Sequence, residues 1–263
     1  MGKVIGVISI KGGVGKTTLV SNLGTVFAND FKKKVLLIDA NFNAPNLGAH
    51  LGVIGAKKNL HTVLQGKNRA NDAIYEHAYG FHIMPASIEN LKVDYLKLSE
   101  VVKNVKDHYD VILLDSSPAL NDEMLAVMMA SDELLVISTP DHPTLLCTMN
   151  AVKLAKKKGT NIHGIILNKV LGKKFELTKG EIESIADAPV VGHLPFDVRI
   201  MKGLAEYKPM ILHKPRSSLS QSFRRIAAYL LGEEVKKKSV LTNIKEFIVN
   251  DVEESLKLIG LGD

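Results

Sequence analysis

The stretch Lys11-Gly12-Gly13-Val14-Gly15-Lys16-Thr17-Thr18 decides how this chain folds. The apolar residues 4–10 before it form a candidate buried strand, and residues 19–27 after it carry apolar side chains at helical spacing. A glycine-rich turn between a strand and a helix is the setting of a phosphate-binding loop. Its glycines let the backbone wrap around phosphate oxygens, and the positive end of the helix dipole points at the same place. The stretch therefore predicts a site for a nucleoside triphosphate.

A second lysine sets this loop apart from a glycine-rich turn without a ligand. Lys16 is expected to reach the β- and γ-phosphates, and Thr17 to hold Mg²⁺ through its hydroxyl. The pattern G-x-x-x-x-G-K-[ST] is not met, since Ile10 occupies its first glycine position, and the loop is better written K-G-G-x-G-K-T-T. In that form the chain resembles the deviant Walker A ATPases of the MinD/ParA family. The resemblance implies that Lys11 reaches across a dimer interface to the partner's nucleotide, and that the ATP contacts include Lys11, Gly12, Gly13, Val14, Gly15, Lys16, Thr17 and Thr18.

Short apolar runs alternate with segments of helical periodicity along the chain. The predicted strands are 4–10, 35–38, 81–84, 111–114, 133–138, 162–167 and 190–194, and the predicted helices are 17–29, 93–106, 123–130, 144–157, 179–185, 199–206 and 218–231. This alternation indicates an α/β chain with a mostly parallel central sheet and helices on both faces. The family resemblance implies that this sheet belongs to the three-layer P-loop NTPase fold. Ligands of such sheets bind beyond the carboxyl ends of the strands, so the residues there are the candidates for chemistry.

Composition bounds the class of protein. The 263 residues, 46% of them hydrophobic, suit one ATPase domain at 1–232 followed by a short appendage at 233–263. The single cysteine, Cys147, excludes a disulfide framework. It also argues against the iron–sulfur carrier proteins related to this ATPase class, because those proteins need cysteine ligands. No apolar run approaches the roughly 20 residues that span a bilayer, so we expect a cytoplasmic protein, attached to a membrane peripherally at most. The net charge of +6 permits weak attraction to nucleic acid or anionic lipid, although a solvated surface is the favoured interpretation of the lysine clusters.

Two aspartates follow two of the predicted strands. Asp115 comes directly after four apolar residues, a Walker B pattern in which the carboxylate holds Mg²⁺ through water. Asp39 follows the strand at 35–38 and is expected to contact the hydration shell of the same ion. The sequence therefore predicts a Mg²⁺ site made by Thr17, Asp39 and Asp115. The segments after these aspartates resemble the two switches of the family, of which the second senses the γ-phosphate.

Asn41 departs from the family pattern. The resemblance places an aspartate at this position, where it lines up the attacking water, so Lys11, Lys16 and Asn41 are the candidate catalytic residues. An amide can form hydrogen bonds to water but cannot take up a proton. Hydrolysis is therefore expected to be slow, because the lost contact raises the barrier and each ~1.4 kcal/mol costs about tenfold in rate. The alternative is that Asn41 is a harmless loop residue.

The resemblance also assigns the contacts with the base. Asn168, after the strand at 162–167, matches the asparagine whose amide pairs with the adenine edge, and Pro195 and Asp197 match the loop over the adenine. A guanine-specific site would usually show Asn-Lys-x-Asp, and this chain has leucine at 171. The turn Ser138-Thr139-Pro140-Asp141, at another strand end, could line the site or cap the start of the helix at 144–157, and the cap is the favoured interpretation.

The C-terminal segment predicts an amphipathic helix after a charged linker. Its apolar residues recur every three or four positions, at Leu241, Ile244, Phe247, Ile248, Val252, Leu256 and Ile259. Its polar face is largely acidic, whereas a helix that binds anionic lipid should be rich in lysine. Docking on the body of the protein or on a partner is therefore favoured over a membrane anchor.

Three functions fit these features. The favoured hypothesis is a Mg²⁺-dependent ATPase that forms a homodimer with ATP and acts as a spatial-positioning switch, for the division site, for chromosome or plasmid partition, or for a related cargo. A protein partner is expected, and a membrane surface or DNA remains open. The alternatives are a nucleotide-sensing module with negligible turnover and an ATP-dependent metabolic enzyme, although no second pocket with substrate-directed residues is identifiable.

Overall fold

A central eight-stranded sheet organises the computed structural model, which describes residues 2–89 and 91–233. The strands are β1 (Lys3–Ile8), β2 (Val35–Ala40), β3 (Tyr75–Glu76), β4 (His82–Met84), β5 (Val111–Ser116), β6 (Glu133–Ser138), β7 (Asn161–Val170) and β8 (Val190–Pro195). Their order across the sheet is β3-β4-β2-β5-β1-β6-β7-β8. All neighbouring strands are parallel except β3 and β4, which form an antiparallel edge. The predicted mostly parallel sheet is confirmed.

Helices cover both faces of the sheet. They are α1 (Lys16–Asn29), α2 (Leu47–His50), α3 (Leu60–Leu64), α4 (Leu98–Lys106), α5 (Asp122–Ala130), α6 (His142–Lys157), α7 (Lys179–Ala186), α8 (Arg199–Ala205), α9 (Met210–His213) and α10 (Ser218–Leu231). One buried cluster packs α3 to α7 on one face, and another packs α1, α2, α9 and α10 on the other. Along β1, Val4 and Ile8 belong to the first cluster and Ile5 and Val7 to the second. This two-sided burial confirms the three-layer fold and explains why the strands are nearly continuous apolar runs.

Some element boundaries differ from the predictions. β1 ends at Ile8, so the next two residues belong to the phosphate loop, and β2 and β5 run on to include Asp39 and Asp115. The helix predicted from residue 93 begins only at Leu98, because the Asp94 side chain accepts the Leu96 N–H and starts a 3₁₀ turn first. Strand β3 and helices α2, α3 and α9 were not predicted, since two to five residues are too few to reveal a period.

The sheet brings the predicted site residues to one edge. In the β2–β5 pairing Asp39 lies directly opposite Asp115, and in the β1–β5 pairing Val7, just before the phosphate loop, also lies opposite Asp115. Because parallel strands place their carboxyl ends at the same edge, the loop and both carboxylates meet there.

Helix α10 is the last helix among the described residues. Gly232 follows it with a φ of 66°, a left-handed C-cap. The predicted linker and amphipathic helix at 233–263 lie, apart from Glu233, outside the described residues. Among residues 2–89 and 91–233, no helix has the length and hydropathy needed to cross a bilayer.

Candidate nucleotide and magnesium site

The phosphate loop joins β1 to α1 through a glycine-dependent backbone. Gly13 and Gly15 have φ values of 73° and 102°, in the left-handed region that other residues disfavour. A Cβ on Gly15 would also lie only 2.4 Å from Nδ2 of Asn168. Gly15 is therefore required both by the backbone and by the space around it. Gly12 and Gly13 are exposed, which leaves the outer side of the loop open.

Lys16 places a buried ammonium inside the loop. Its exposure is 7%, and its one hydrogen bond to a described residue goes from Nζ to the Ser9 carbonyl at 3.5 Å. Burial lowers the pKa of Lys16, although the charge of Asp115 acts in the opposite direction. A buried cation with one long hydrogen bond is poorly compensated. Phosphate oxygens would supply both the acceptors and the negative charge that it lacks.

The three predicted magnesium ligands lie together. The Thr17 hydroxyl donates to Oδ2 of Asp115 at 2.6 Å, while Oδ1 of Asp115 is buried without a hydrogen-bond partner among the described residues. Asp39 accepts the backbone N–H groups of Asn41 at 3.2 Å and of Leu47 at 2.9 Å. A magnesium ion in this place would give the orphaned oxygen of Asp115 a partner.

The electrostatics of this pair also fit a cation. Burial, reinforced by Asp115, raises the pKa of Asp39 to about 8. Burial raises the pKa of Asp115 to about 6, against the Thr17 hydrogen bond and the charge of Lys16, which lower it. A divalent cation would stabilise both ionised carboxylates. Since the described residues hold no cluster of three or more acidic, histidine or cysteine side chains suited to a metal, the oxygen donors here would share Mg²⁺ with water and phosphate, as Mg²⁺ prefers.

Lys11 contacts its own subunit in this structure. Its Nζ donates to the Thr144 hydroxyl at 2.7 Å and lies 3.5 Å from Oδ1 of Asp141, with about two-fifths of the side chain exposed. Asp141 accepts the Thr144 N–H at 2.9 Å and caps α6, as predicted. Although burial opposes it, hydrogen bonds from Thr139 and Thr144 and the charge of Lys11 lower the pKa of Asp141. The pairing of Asp141 with Lys11 was not predicted.

Asn41 is buried, with 5% exposure, and its side chain closes a turn. Its Nδ2 donates to the Ala44 carbonyl at 2.5 Å, and its backbone N–H donates to Asp39. This bond supports the alternative in which Asn41 shapes the loop. The catalytic role of Asn41 stays a prediction.

The predicted base-binding residues meet beside the phosphate loop. Nδ2 of Asn168 donates to the Val14 carbonyl at 2.7 Å, and Pro195 lies opposite Val170 in the β7–β8 pairing. The Asp197 carboxylate, with 1% side-chain exposure, forms a bidentate pair with Arg199, so its side chain is committed within the protein. Contacts of these residues with a base stay predictions.

Two residues that contact the loops of the site were not predicted from the sequence to have a role there, Lys169 and Glu123. Lys169 has a φ of 58°, and its Nζ donates to the Gly13 carbonyl at 2.8 Å, which links the end of β7 to the loop. Glu123 has 1% exposure and accepts the Phe42 N–H at 2.9 Å. An acidic residue in the first turn of a helix ordinarily indicates only an interaction with the helix dipole. The burial of Glu123 depends on how α5 packs in the fold, so no sequence pattern indicates it.

Comparison with known proteins agrees with this geometry. The family described as "AAA domain" matches residues 2–162. An uncharacterised ATP-binding protein of Methanocaldococcus jannaschii is 33% identical over 94% of this chain and 96% of its own length. The crystal structure of the Pyrococcus furiosus cell division ATPase MinD superposes with a TM-score of 0.84 at 32% identity, covering 88% of this chain and 99% of that one. The chain belongs to the MinD/ParA family of P-loop ATPases.

Members of the family are ATPases, so this chain is an ATPase, and the assignment of that activity to the residues at this sheet edge stays a prediction. A further structure, the septum site-determining protein MinD from Pyrococcus horikoshii complexed with Mg-ADP, superposes with a TM-score of 0.83 at 32% identity and covers 88% of this chain and 96% of that one. That ligand consists of the nucleotide and the ion that the buried ammonium of Lys16 and the orphaned oxygen of Asp115 would accommodate.

Proposed function

We propose that this ATPase is a nucleotide-gated positioning switch that forms a homodimer when it binds ATP and Mg²⁺. In the closed dimer each Lys11 contacts the nucleotide of the opposite subunit, and hydrolysis releases the two subunits. The observation that carries this proposal is the position of Lys11. Lys11 is the first residue of the glycine-rich stretch 11–18 in the phosphate loop, and among residues 2–89 and 91–233 its ammonium is held by the half-exposed Asp141 and by Thr144, contacts weak enough to exchange.

The surface beside the loop suits a second copy of the chain. A Cβ on Gly12 would touch Pro118 at 3.7 Å, so the segment after Asp115 lies against the loop. Two residues beyond Pro118, Leu120 is 53% exposed, and Leu146, on the first turns of α6, is 58% exposed. Large apolar side chains near a polar site are typical of interaction surfaces. They support a dimer face that includes the nucleotide.

Hydrolysis in this dimer is slow. Lys16 would pair with the phosphates, and Thr17, Asp39 and Asp115 would hold Mg²⁺, which would neutralise the phosphate charge. Asn41 orients water through its amide oxygen, but it has no carboxylate to attract the proton. Positioning and electrostatics still supply most of the catalysis, so turnover is weakened rather than abolished.

The cargo of the switch is a protein or protein assembly placed within the cell. Relatives include the septum site-determining protein MinD of Thermotoga maritima, 27% identical over the full length of both chains, and a MinC:MinD cell division complex of Aquifex aeolicus superposes with a TM-score of 0.80 at 27% identity. These names support a role in cell division. We place that role in the cytoplasm, with peripheral membrane contact as one form of docking. Residues 233–263 would serve that docking as a separate C-terminal unit.

Sedimentation velocity with and without Mg-ATP tests the switch. The wild type should sediment as a dimer with ATP and as a monomer with ADP. Lys11→Ala should bind ATP within about threefold of the wild type and remain a monomer, whereas Lys16→Ala should lose nucleotide binding, because a buried charge-assisted contact is worth about 1.5–3 kcal/mol. Lys173→Ala, which removes an exposed cation from the segment after β7, is the matched control and should form dimers with ATP like the wild type. ATP-dependent dimers of the Lys11 variant would refute the proposal.

A second candidate function is a nucleotide sensor with negligible turnover. The hydrogen bond from the Asn41 side chain to the Ala44 carbonyl favours it, because a side chain that holds the loop is less able to position the attacking water. Steady-state phosphate release by the wild type and by Asn41→Asp separates the two. A rise of more than about a hundredfold in the variant, equal to ~2.7 kcal/mol of barrier, favours the sensor. A measurable wild-type rate that rises only severalfold favours the slow ATPase.

A further inference from the structure

Glu123, on the first turn of α5, is a buried carboxylate outside the predicted site. Its Oε2 accepts the Phe42 N–H at 2.9 Å, and its Oε1 accepts the side-chain amide of Asn43. Both donors belong to the loop that follows Asp39. The first turn of α5 is therefore bonded directly to the segment that carries Asn41.

The same carboxylate also contacts the segment after Asp115. Nδ2 of Asn121 donates to Oε1 of Glu123 at 3.1 Å, and the Oδ1 atom of Asn121 accepts the Ser117 hydroxyl at 3.3 Å. A continuous chain of hydrogen bonds thus runs from Ser117, two residues beyond Asp115, through Asn121 and Glu123 to Phe42.

The donors to Glu123 are all neutral. No cation lies within ion-pair distance of this carboxylate in the described part of the chain, and its exposure is 1%. A buried carboxylate without a cation is costly, and it is tolerated only when hydrogen bonds satisfy its oxygens. Phe42 and Asn43 are therefore held firmly, since moving them away would leave the charge uncompensated.

We propose that Glu123 is a positioning residue that ties the loop after Asp39 to the segment after Asp115, so that the two move as one unit when a γ-phosphate binds. The inference rests on the proposed nucleotide switch, and it identifies the element that carries the signal between its two phosphate-sensing segments. Glu123 acts by fixing the backbone next to Asn41.

Hydrogen exchange followed by mass spectrometry tests this connection in the full-length protein. Glu123→Gln keeps the shape of the side chain but replaces one acceptor oxygen with a donor. Without nucleotide, the backbone amide hydrogens of fragments covering 41–47 should exchange about tenfold faster in this variant. The reason is that either the Phe42 N–H or the side-chain amide of Asn43 loses its acceptor on residue 123. Asp122→Asn is the matched control, since it removes the same charge from an exposed position one residue away and should leave the exchange unchanged.

A second variant covers failure of the first to fold. Asn43 is exposed, so Asn43→Ala should fold normally and still accelerate exchange at 41–47. With a non-hydrolysable ATP analogue in place of ADP, the wild type should change exchange at both 41–47 and 116–121, whereas Glu123→Gln should change it only at 116–121. Wild-type exchange at 41–47 in the folded variants without nucleotide would overturn the inference. If exchange in the wild type were the same with ADP and with the ATP analogue, the proposed switch would be contradicted. The comparison of the wild type with Glu123→Gln without nucleotide would still test the role of Glu123.

Discussion

Replacing Asp39 with asparagine is expected to remove most of a pH dependence that the empty site imposes on stability. The pKa of Asp39 is about 8 in the folded protein, against an ordinary value of 3.8, because burial and the neighbouring Asp115 disfavour its charge. For an acid with a raised pKa, the folded state binds the proton more tightly than the unfolded state. Stability is therefore full below the ordinary pKa and is lost as the pH rises toward the folded value.

The size of this effect follows from linkage. The unfolded chain releases the Asp39 proton well below the pH at which the folded state does. Relative to acid pH, about 3 kcal/mol of stability is therefore lost by pH 6 and about 5 kcal/mol by pH 8, so about 2 kcal/mol is lost over this interval. Urea unfolding in EDTA, without nucleotide, at both pH values measures the loss. The Asp39→Asn variant should lose less than about a third of that amount over the same interval. Asp122→Asn, at an exposed position, should behave like the wild type.

Addition of Mg-ATP should reverse the trend, because the ion binds the ionised carboxylates. Mg-ATP should stabilise the wild type more at pH 8 than at pH 6. It should stabilise the Asp39→Asn variant less than the wild type at both pH values. If the free energy of unfolding depended equally on pH in the wild type and in Asp39→Asn, the prediction would be refuted. Burial of the Asp39 carboxyl group would then have no effect on stability.

Three further changes test single contacts. Gly15→Ala should abolish ATP binding and lower the melting temperature, because its φ is 102° and its Cβ would meet Asn168, whereas Gly180→Ala, with open space around it, should do neither; calorimetry measures both effects. Asp141→Asn keeps the cap of α6 but weakens the hold on Lys11, so dimers should form at about two- to fivefold lower ATP concentration in sedimentation, in line with an exposed ion pair of about 0.2–1 kcal/mol. Asn168→Ala should narrow the preference for ATP over GTP in competition binding, and an unchanged preference would exclude Asn168 from base recognition.

The phosphate loop and the two aspartates were predictable because their chemistry restricts residue type and spacing. A loop that cradles phosphate needs glycines where φ is positive, and Gly13 and Gly15 are such positions. A carboxylate at the end of a buried strand has few structural explanations, and Asp39 and Asp115 do lie opposite each other. Local sequence carries these signals, so they survive without knowledge of the fold.

The partners of Lys11 and Glu123 were not predictable for the opposite reason. Lys11 and Asp141 are 130 residues apart, and Glu123 and Phe42 are 81 apart. Each of these residues has a sufficient local explanation, as a loop lysine, a helix cap or a first-turn acid. Only the packing of α5 and α6 against the sheet edge determines which loop each one meets.

These contacts also explain how one phosphate group could decide the state of the switch. ADP and ATP differ only beyond the β-phosphate, so a preference for the closed dimer must come from groups that reach that position. Without ATP, Lys11 is held by an exposed pair with Asp141 worth about 0.2–1 kcal/mol, whereas a charge-assisted bond to a γ-phosphate contributes about 1.5–3 kcal/mol. The difference favours transfer of Lys11 to a triphosphate and is lost with ADP. In the proposed switch, the hydrogen bonds of Glu123 extend the same distinction to the loop that carries Asn41.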